Sequence, residues 1–342
     1  MAKRPTRRMA RKIQPAVETM IIPTGVVAAG ATGSFTIDLS QCASLMNRRF
    51  YRQGINWAVG GFKLTTSPGV QGSVTVKKLP NTWIMSNAWE KGFRVWQKMN
   101  DIALSESESV KPKFLDFKIF ADETHHSDGV AANLIPVDGQ LPVAVPYALG
   151  EWEMSKFVVP KTDGTDGVNN FEVVAVGSNY PGSGASGLQA VSLIEGYAAS
   201  RALPDVVDPN VPDDAYDASG PTPENWQSAL FNEGTTQDDG VLTDMATENN
   251  LAPYPFENDG VNTDTMYPGG ANQAPSLQIH DISTISGTTV GGITHLKGGN
   301  FPCGLIRIDW ANTGDVSANL ALQIDLVPGY HRGYLCEPMT EM

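Results

Sequence analysis

The chain has few of the residues from which catalytic and metal sites are usually built. Its three cysteines, Cys42, Cys303 and Cys336, are far apart and form no C-x-x-C pair. They therefore suggest neither a disulfide framework nor a zinc motif, and they indicate a reducing compartment. The five histidines give no Cys/His signature, and no G-x-S-x-G nucleophile motif is present. We expect no metal, no cofactor and no enzymatic activity.

Long apolar runs are also missing. No stretch approaches the roughly 18 residues needed to span a bilayer, and the cations at the N-terminus precede no apolar segment of a secretory signal. We therefore expect neither membrane insertion nor secretion. The 34 glycines and 23 prolines favour many turns over long helices.

Positive charge is scarce except at one end of the chain. The first twelve residues carry six cations and no acid: Lys3, Arg4, Arg7, Arg8, Arg11 and Lys12. Because the whole chain carries −13, the remainder carries −19. A run of like charges repels itself and should project from the fold. Its natural partner is a polyanion, since neutralised phosphates release counterions. The same composition also fits a nuclear-localisation signal, and the two functions are compatible.

A second segment has the opposite charge. Residues 202–270 contain fourteen Asp and Glu but no Lys or Arg. Such a block repels the polyanion that the cationic arm attracts, so we expect it on the opposite side of the molecule. The bland alternative is an acidic linker. Trp226, Phe231 and Tyr254 give the segment apolar surface to bury, which favours a semi-ordered surface insertion.

The remaining chain is dominated by strand patterns. Alternating, β-branched or aromatic runs bounded by turn residues predict strands at 34–39, 55–65, 73–79, 114–121, 152–160, 171–177, 276–285, 304–310 and 319–327. In the last run, Leu320, Leu322, Ile324 and Leu326 share one face. Residues 13–31 are predicted to be a linker. Many short strands with long loops are typical of an antiparallel sandwich, and an eight-stranded jelly roll is the best single choice.

Two helices are predicted within this β-rich pattern. In residues 87–100, Trp89, Phe93 and Trp96 fall at i, i+4 and i+7, one apolar stripe that should pack on a sheet. Ser86 or Asn87 can cap this helix. The second helix is predicted at 188–203.

One short stretch has the composition of a single-strand binding surface. Arg48, Arg49 and Arg52 alternate with Phe50 and Tyr51. Guanidinium groups can follow the phosphate backbone while aromatic rings stack on bases. The structural alternative is a strand entrance with both rings packed inward.

Two further motifs resemble ligand sites. Gly182 to Gly187 matches G-x-G-x-x-G with Asp205 and Asp208 downstream, as in a dinucleotide site. Nothing else repeats strand–helix–strand, however, so a flexible turn is the preferred interpretation. Residues 122–128, including His125 and His126, could ligate a metal between subunits. Adjacent histidines rarely face one ion, and a solvated loop is the default.

These features together resemble the capsid proteins of small circular Rep-encoding single-stranded DNA viruses, the smacovirus-like and related stool-associated groups in particular. The phrase from Leu326 to Met339, LVPGYHRGYLCEPM, and residues 86–101, with NAWEKGF, carry the resemblance. It implies a viral jelly roll that assembles into an icosahedral shell of about 60 copies or a multiple. It also implies an arm that packages single-stranded DNA, outer loops that attach to a host receptor, a virion location, and assembly in the host nucleus.

The predicted organisation has four parts. Residues 1–31 form the basic arm and linker, 32–201 the first part of the shell domain, 202–270 the acidic surface insertion, and 271–342 the C-terminal strands. Two alternatives stay open: a non-viral β-sandwich that binds carbohydrate or protein, and a nucleotide-binding enzyme that uses the Gly182–Gly187 loop.

Overall fold

The chain is mostly β-sheet in the computed structural model, which describes residues 15–105, 116–138, 145–160, 168–178, 180–201, 276–286 and 292–342. The strands within these ranges are β1 Thr19–Pro23, β2 Thr32–Asp38, β3 Ile55–Thr65, β4 Gly72–Lys78, β5 Val137–Asp138, β6 Val145–Pro146, β7 Lys156–Pro160, β8 Val168–Val174, β9 Gln189–Ser192, β10 Gln278–Ile285, β11 Ile293–Phe301, β12 Leu305–Asn312, β13 Ala321–Leu326, β14 Pro328–Gly329, β15 Gly333–Tyr334 and β16 Cys336–Pro338. The α-helices are α1 Leu39–Asn47, α2 Trp83–Ser105, α3 Glu123–Asp128 and α4 Leu193–Arg201. Short 3-10 helices cover Val130–Ala132, Pro302–Gly304 and Met339–Glu341.

Two antiparallel sheets form the main body. Sheet 1 has the order β1-β13-β3-β11, and β16 also pairs with β3. Sheet 2 has the order β10-β4-β12-β2. A smaller third sheet, β7-β8-β9, joins one antiparallel and one parallel pair. The predicted shell parts, 32–201 and 271–342, both contribute strands to sheets 1 and 2.

The main core lies between sheets 1 and 2. Strand β13 alternates buried and half-buried residues along its length, and the predicted face of Leu320, Leu322, Ile324 and Leu326 is buried. Trp57 from β3 and Trp310 from β12 enter the same core from the two sheets. This confirms the period-two interpretation of the last strand, since one face packs inward and the other meets solvent. The result is consistent with a β-sandwich.

The connections separate into two ends of the sheets. Register places Pro23, Ala321, Thr65 and Ile293 at one end of sheet 1. The connections 24–31, 66–71, 286–292 and 313–320 all cross at this short-loop end. The opposite, insertion end receives the chain before β1, the connection 39–54 and the long connection 79–277. The longest connections between strands of sheets 1 and 2 therefore leave and rejoin the described strands at one end.

A second core lies beneath α2. Trp89 and Trp96 are buried and Phe93 is partly buried, with ring centroids of Trp89 and Phe93 5.1 Å apart. These rings pack against Phe117, whose centroid is 6.0 Å from Trp89 and 5.8 Å from Trp96. The predicted apolar stripe is thus a core anchor. The helix begins one turn before the predicted cap, because the Thr82 hydroxyl accepts a hydrogen bond from the Met85 amide at 3.4 Å.

Three strands of sheet 1 were not predicted: β1, β11 and the three-residue β16. Residues 19–23 of the predicted linker form β1, which pairs with β13 over its whole length. Strand β11 contains Gly298 and Gly299, which obscure its strand pattern. A side chain at Gly298 would begin 2.3 Å from the Val59 carbonyl oxygen. Close packing on β3, and not turn formation, therefore explains a glycine at this position.

The prediction of two helices undercounts the described chain, which has four. Helix α1 was missed because it is only nine residues long and follows strand β2 directly; the Asp38 carboxylate caps it by accepting from the Ser40 and Gln41 amides. Helix α3 replaces the loop predicted at 122–128, and Asp122 caps it in the same way. The predicted helix 188–203 begins with strand β9 and becomes helical only at Leu193.

One predicted strand, 114–121, is not a strand within the described chain. Among residues 116–121 only Phe120 forms a bridge, to Val174. Its apolar side chains reflect burial in the α2 core and not sheet pairing. Among the described helices, none is long and apolar enough to cross a bilayer.

Candidate nucleic-acid interface

The six cations of the arm, Lys3, Arg4, Arg7, Arg8, Arg11 and Lys12, lie outside the described residues, but the point where the arm joins the fold is defined. The Arg49 guanidinium donates a hydrogen bond to the Pro15 carbonyl at 3.3 Å. The Val17 amide donates to Asn47 Oδ1 at 2.9 Å, and the Tyr334 hydroxyl donates to the Val17 carbonyl at 2.6 Å. The root of the arm is therefore held beside the end of α1.

The predicted arginines lie on the same surface as this root. Helix α1 ends at Asn47, and the next residue, Arg48, caps it in a left-handed conformation with φ 53°. Arg48, Arg49 and Arg52 are all exposed. The structure thus brings the described part of the predicted interface together next to the place where the arm emerges.

The two aromatic residues of this stretch have different roles. Tyr51 is fully buried, with its ring centroid 5.9 Å from Trp57 and 5.4 Å from Tyr334. Its hydroxyl donates to the Arg332 carbonyl at 2.9 Å. Phe50 is only half-buried. The inward-packing interpretation therefore holds for Tyr51, whereas Phe50 stays at the surface with the arginines.

Two residues from distant segments complete a cluster that sequence reasoning missed. The Lys118 ammonium lies 4.4 Å from the Trp152 ring centroid and 5.8 Å from that of Phe50. The Arg52 guanidinium lies 5.8 Å from the Phe50 ring, and the Phe50 and Trp152 centroids are 6.4 Å apart. We call Phe50, Arg52, Lys118 and Trp152 the cation–aromatic cluster. No local pattern marks Lys118 or Trp152, because only the tertiary fold brings them to Phe50.

Arg332 extends the positive surface. It is exposed in the β14–β15 hairpin, and its guanidinium donates a hydrogen bond to the Phe50 carbonyl. The sequence around it, Tyr330-His331-Arg332, interleaves aromatic and basic side chains as 48–52 does. The signal that selected Arg48 could therefore have selected Arg332 too.

Two buried carboxyl groups lie beneath the cluster. Asp38 is fully buried and accepts hydrogen bonds from Trp152 Nε1 at 3.1 Å and Gln53 Nε2 at 3.0 Å, besides capping α1. Burial raises the pKa of Asp38 to about 6. Asp116 lies 3.6 Å from the Lys118 ammonium, and burial raises its pKa despite the neighbouring cations. These acids offset part of the positive charge from below.

The glycine motif does not form a dinucleotide site. Strand β9, and not a helix, follows Gly187, so no helix N-terminus faces the loop. A side chain at Gly184 would begin 2.5 Å from His126 Nε2, and the Ala185 amide donates to the His126 carbonyl at 3.1 Å. The loop therefore packs on α3. Asp205 and Asp208 lie outside the described residues.

The histidine pair is buried in a polar network. His125 Nδ1 accepts from the Ala121 amide at 3.0 Å, and its Nε2 lies 2.8 Å from Asn133 Oδ1. Burial, aided by the Arg307 charge, lowers the pKa of His125 to about 3. His126 Nε2 lies 2.9 Å from Glu172 Oε2. Among the described residues, no three His, Cys, Asp or Glu side chains form a group that could hold a metal.

Comparison with known proteins adds no relative: the chain matches no protein-family model, no curated protein and no solved structure.

Proposed function

We propose that the protein is a structural capsid subunit that assembles into a closed shell and packages single-stranded nucleic acid. The observation that carries this proposal is the hydrogen bond from Arg49 to Pro15. It joins the root of a six-cation arm to a surface that already presents Arg48, Arg49, Arg52 and Arg332. The rest of the chain carries −19 and repels phosphate, so nucleic acid should bind at this one positive surface.

The strand order supports a jelly roll. When β16 is left aside, sheets 1 and 2 contain eight strands. Along the chain, the first pairs with the eighth, the second with the seventh, the third with the sixth and the fourth with the fifth. Successive strands lie in different sheets except for the fourth and fifth, β4 and β10, which pair within sheet 2. Nested pairing of this kind belongs to double-sheet jelly rolls, a common architecture of viral shells. The resemblance to capsid proteins of circular single-stranded DNA viruses agrees with it.

The acidic segment 202–270 lies outside the described residues, but the elements that precede and follow it are described and indicate where it joins the fold. It leaves the fold after α4 and returns to β10. Strand β10 contacts β11, since His280 Nε2 lies 3.0 Å from the Lys297 carbonyl oxygen. Strand β11 is one edge of sheet 1, and β1, which the arm joins, is the other edge. Three strand spacings, about 14 Å, separate these edges. The segment and the arm both join the fold at the insertion end, so charge and not this spacing decides the placement: a packaged polyanion attracts the arm and repels the acidic segment. We therefore place the segment on the outer surface, where it would meet a host receptor, and the arm inside.

The arm should bind phosphates and not base edges. A flexible run of six cations has no fixed geometry for bidentate base contacts. Affinity should fall with salt at a log–log slope of about −0.7 per phosphate on a single strand, or roughly −4 if all six engage. Deleting residues 1–12 should remove most of this slope and leave the fold intact. An unchanged slope would assign the arm to nuclear targeting alone.

Size separates the proposal from its alternatives. A shell of many copies elutes in the void volume of a sizing column and appears as closed particles in negative stain. A β-sandwich binding module or a nucleotide-binding enzyme would elute near its 36.7 kDa mass. Only monomers or dimers across pH and salt would overturn the capsid proposal.

A further inference from the structure

The cation–aromatic cluster is held rigidly at the surface by hydrogen bonds from three segments. The Lys118 amide donates to Ser155 Oγ at 3.0 Å, and the Ser155 amide returns a bond to the Lys118 carbonyl at 2.9 Å. The Trp152 indole is fixed to Asp38, and the carbonyl of Phe50 is fixed to Arg332. Two half-buried rings are thus presented in a defined position between two cations.

Packing in a hydrophobic core explains neither the Phe50 ring nor the Trp152 ring. Trp152 and Phe50 are half-buried and belong to none of the buried apolar clusters among the described residues. Their ring planes lie at 55° to each other, so the pair forms a tilted platform and not a closed stack. A half-buried aromatic pair beside the exposed Arg52 guanidinium suits a ligand that has both a flat π-system and negative charge. Lys118, whose side chain is only 13% exposed and pairs with Asp116, adds positive potential and not a direct phosphate contact.

We infer that the cation–aromatic cluster is a nucleotide-binding subsite that stacks unpaired bases of single-stranded nucleic acid. This inference rests on the proposed function and adds a site to it. The phosphates would lie along Arg52, Arg49 and Arg48, and a base would stack on Phe50 or Trp152. A duplex offers only phosphates here, because its bases already stack on each other.

The charges around Trp152 refine the orientation. Glu151 and Glu153 are exposed on either side of Trp152. They repel phosphate from the indole, so the backbone should lie on the arginine side of the cluster and only the base should reach Trp152. Replacing both glutamates with glutamine should therefore strengthen binding several-fold at low salt and less at high salt.

Stacking and phosphate binding differ in their salt dependence, which gives a direct test. The probes are a fluorescent thymidine oligomer and an abasic oligomer of the same length, which keeps the phosphates but has no bases. With the full chain, we expect tighter binding of the thymidine oligomer, and we expect the ratio of the two affinities to persist at high salt. A single stacked base should contribute about five- to 150-fold to this ratio.

Variants separate the cluster from the arm. Phe50→Leu and Trp152→Leu should each reduce the affinity ratio and leave abasic binding nearly unchanged, while Trp152→Phe should keep part of the ratio. Phe35→Leu is the matched control, since Phe35 is a half-buried ring on β2 packed against Gly25 and Gly33, away from the cluster. Its ratio should equal that of the natural sequence.

Crosslinking of the natural sequence covers the case in which a variant misfolds. A 5-iodouridine oligomer should crosslink to peptides containing Phe50 or Trp152. An affinity ratio near one, or crosslinks confined to residues 1–12, would overturn the subsite. Both measurements use subunits whether or not they form shells, so a failure of assembly and a failure of the subsite give different results.

Discussion

The carboxyl group of Asp38 offers a test of which force governs the buried polar groups beneath the interface. Four donors surround this carboxylate: the Ser40 and Gln41 amides, Gln53 Nε2 and Trp152 Nε1. Those hydrogen bonds favour the ionised form, whereas complete burial disfavours it. Burial has the larger effect and raises the pKa to about 6 from 3.8.

The sign of the resulting pH dependence is unusual for an aspartate. Between pH 3.8 and 6 the folded protein holds a proton that the unfolded chain has released. Stability therefore falls as pH rises through this window. The full cost is present above pH 6 and absent below pH 3.8. The shift corresponds to about 3 kcal/mol of unfolding free energy.

Asp38→Asn isolates this effect. Asparagine still caps α1 but does not titrate. Urea unfolding of dissociated subunits should be measured for both sequences from about pH 4 to pH 7 at constant ionic strength. The other carboxyl groups contribute equally to both, so they cancel in the difference. We expect the stability of the natural sequence relative to Asp38→Asn to fall by about 2 kcal/mol over this range, which covers most of the full shift. A constant difference, or one that grows with pH, would mean that the four hydrogen bonds outweigh burial.

Two further predictions concern the network around α3. Gly184→Ala should destabilise the fold by about 1–3 kcal/mol, because the new methyl group would meet the His126 ring. Gly61→Ala is the control and should cost less, since its nearest contact is an ordinary 3.5 Å. Equal losses of stability in thermal unfolding would refute this packing. His125 has its pKa lowered to about 3, so its contribution to stability should be lost as pH falls below 6.5, by up to about 1.4 kcal/mol per pH unit. In chemical unfolding, this dependence of stability on pH should be absent from His125→Gln and kept by the control His280→Gln. The same pH dependence in both variants and in the natural sequence would mean that another group causes it.

From sequence alone, strands with a strong side-chain pattern could be predicted, whereas strands that depend on their partners could not. The alternation of β13 and the extent of β3 follow from side-chain period and composition, which burial on one face enforces. Strands β1 and β11 escaped because their patterns are weak and their pairing is non-local: β1 is short, and β11 contains glycines that its contact with β3 requires. Tertiary packing determines such strands.

The candidate site shows the same division. Arg48, Arg49 and Arg52 could be predicted because charge and aromatic rings alternate along one segment. Lys118 and Trp152 could not, since each stands alone in sequence and meets Phe50 only through the fold. The glycine and histidine motifs resembled ligand sites for the converse reason. Their residues are close in sequence, yet they serve to pack a loop on a helix.

Sedimentation velocity with absorbance recorded at nucleic-acid and protein wavelengths tests the central claim most directly, because it reports particle size and nucleic-acid content together. The full chain should sediment as closed shells carrying nuclease-protected single-stranded nucleic acid. Without residues 1–12, shells should form with a much lower ratio of nucleic acid to protein. A species near 36.7 kDa at every pH and salt concentration, or equal nucleic-acid content with and without the arm, would contradict the account.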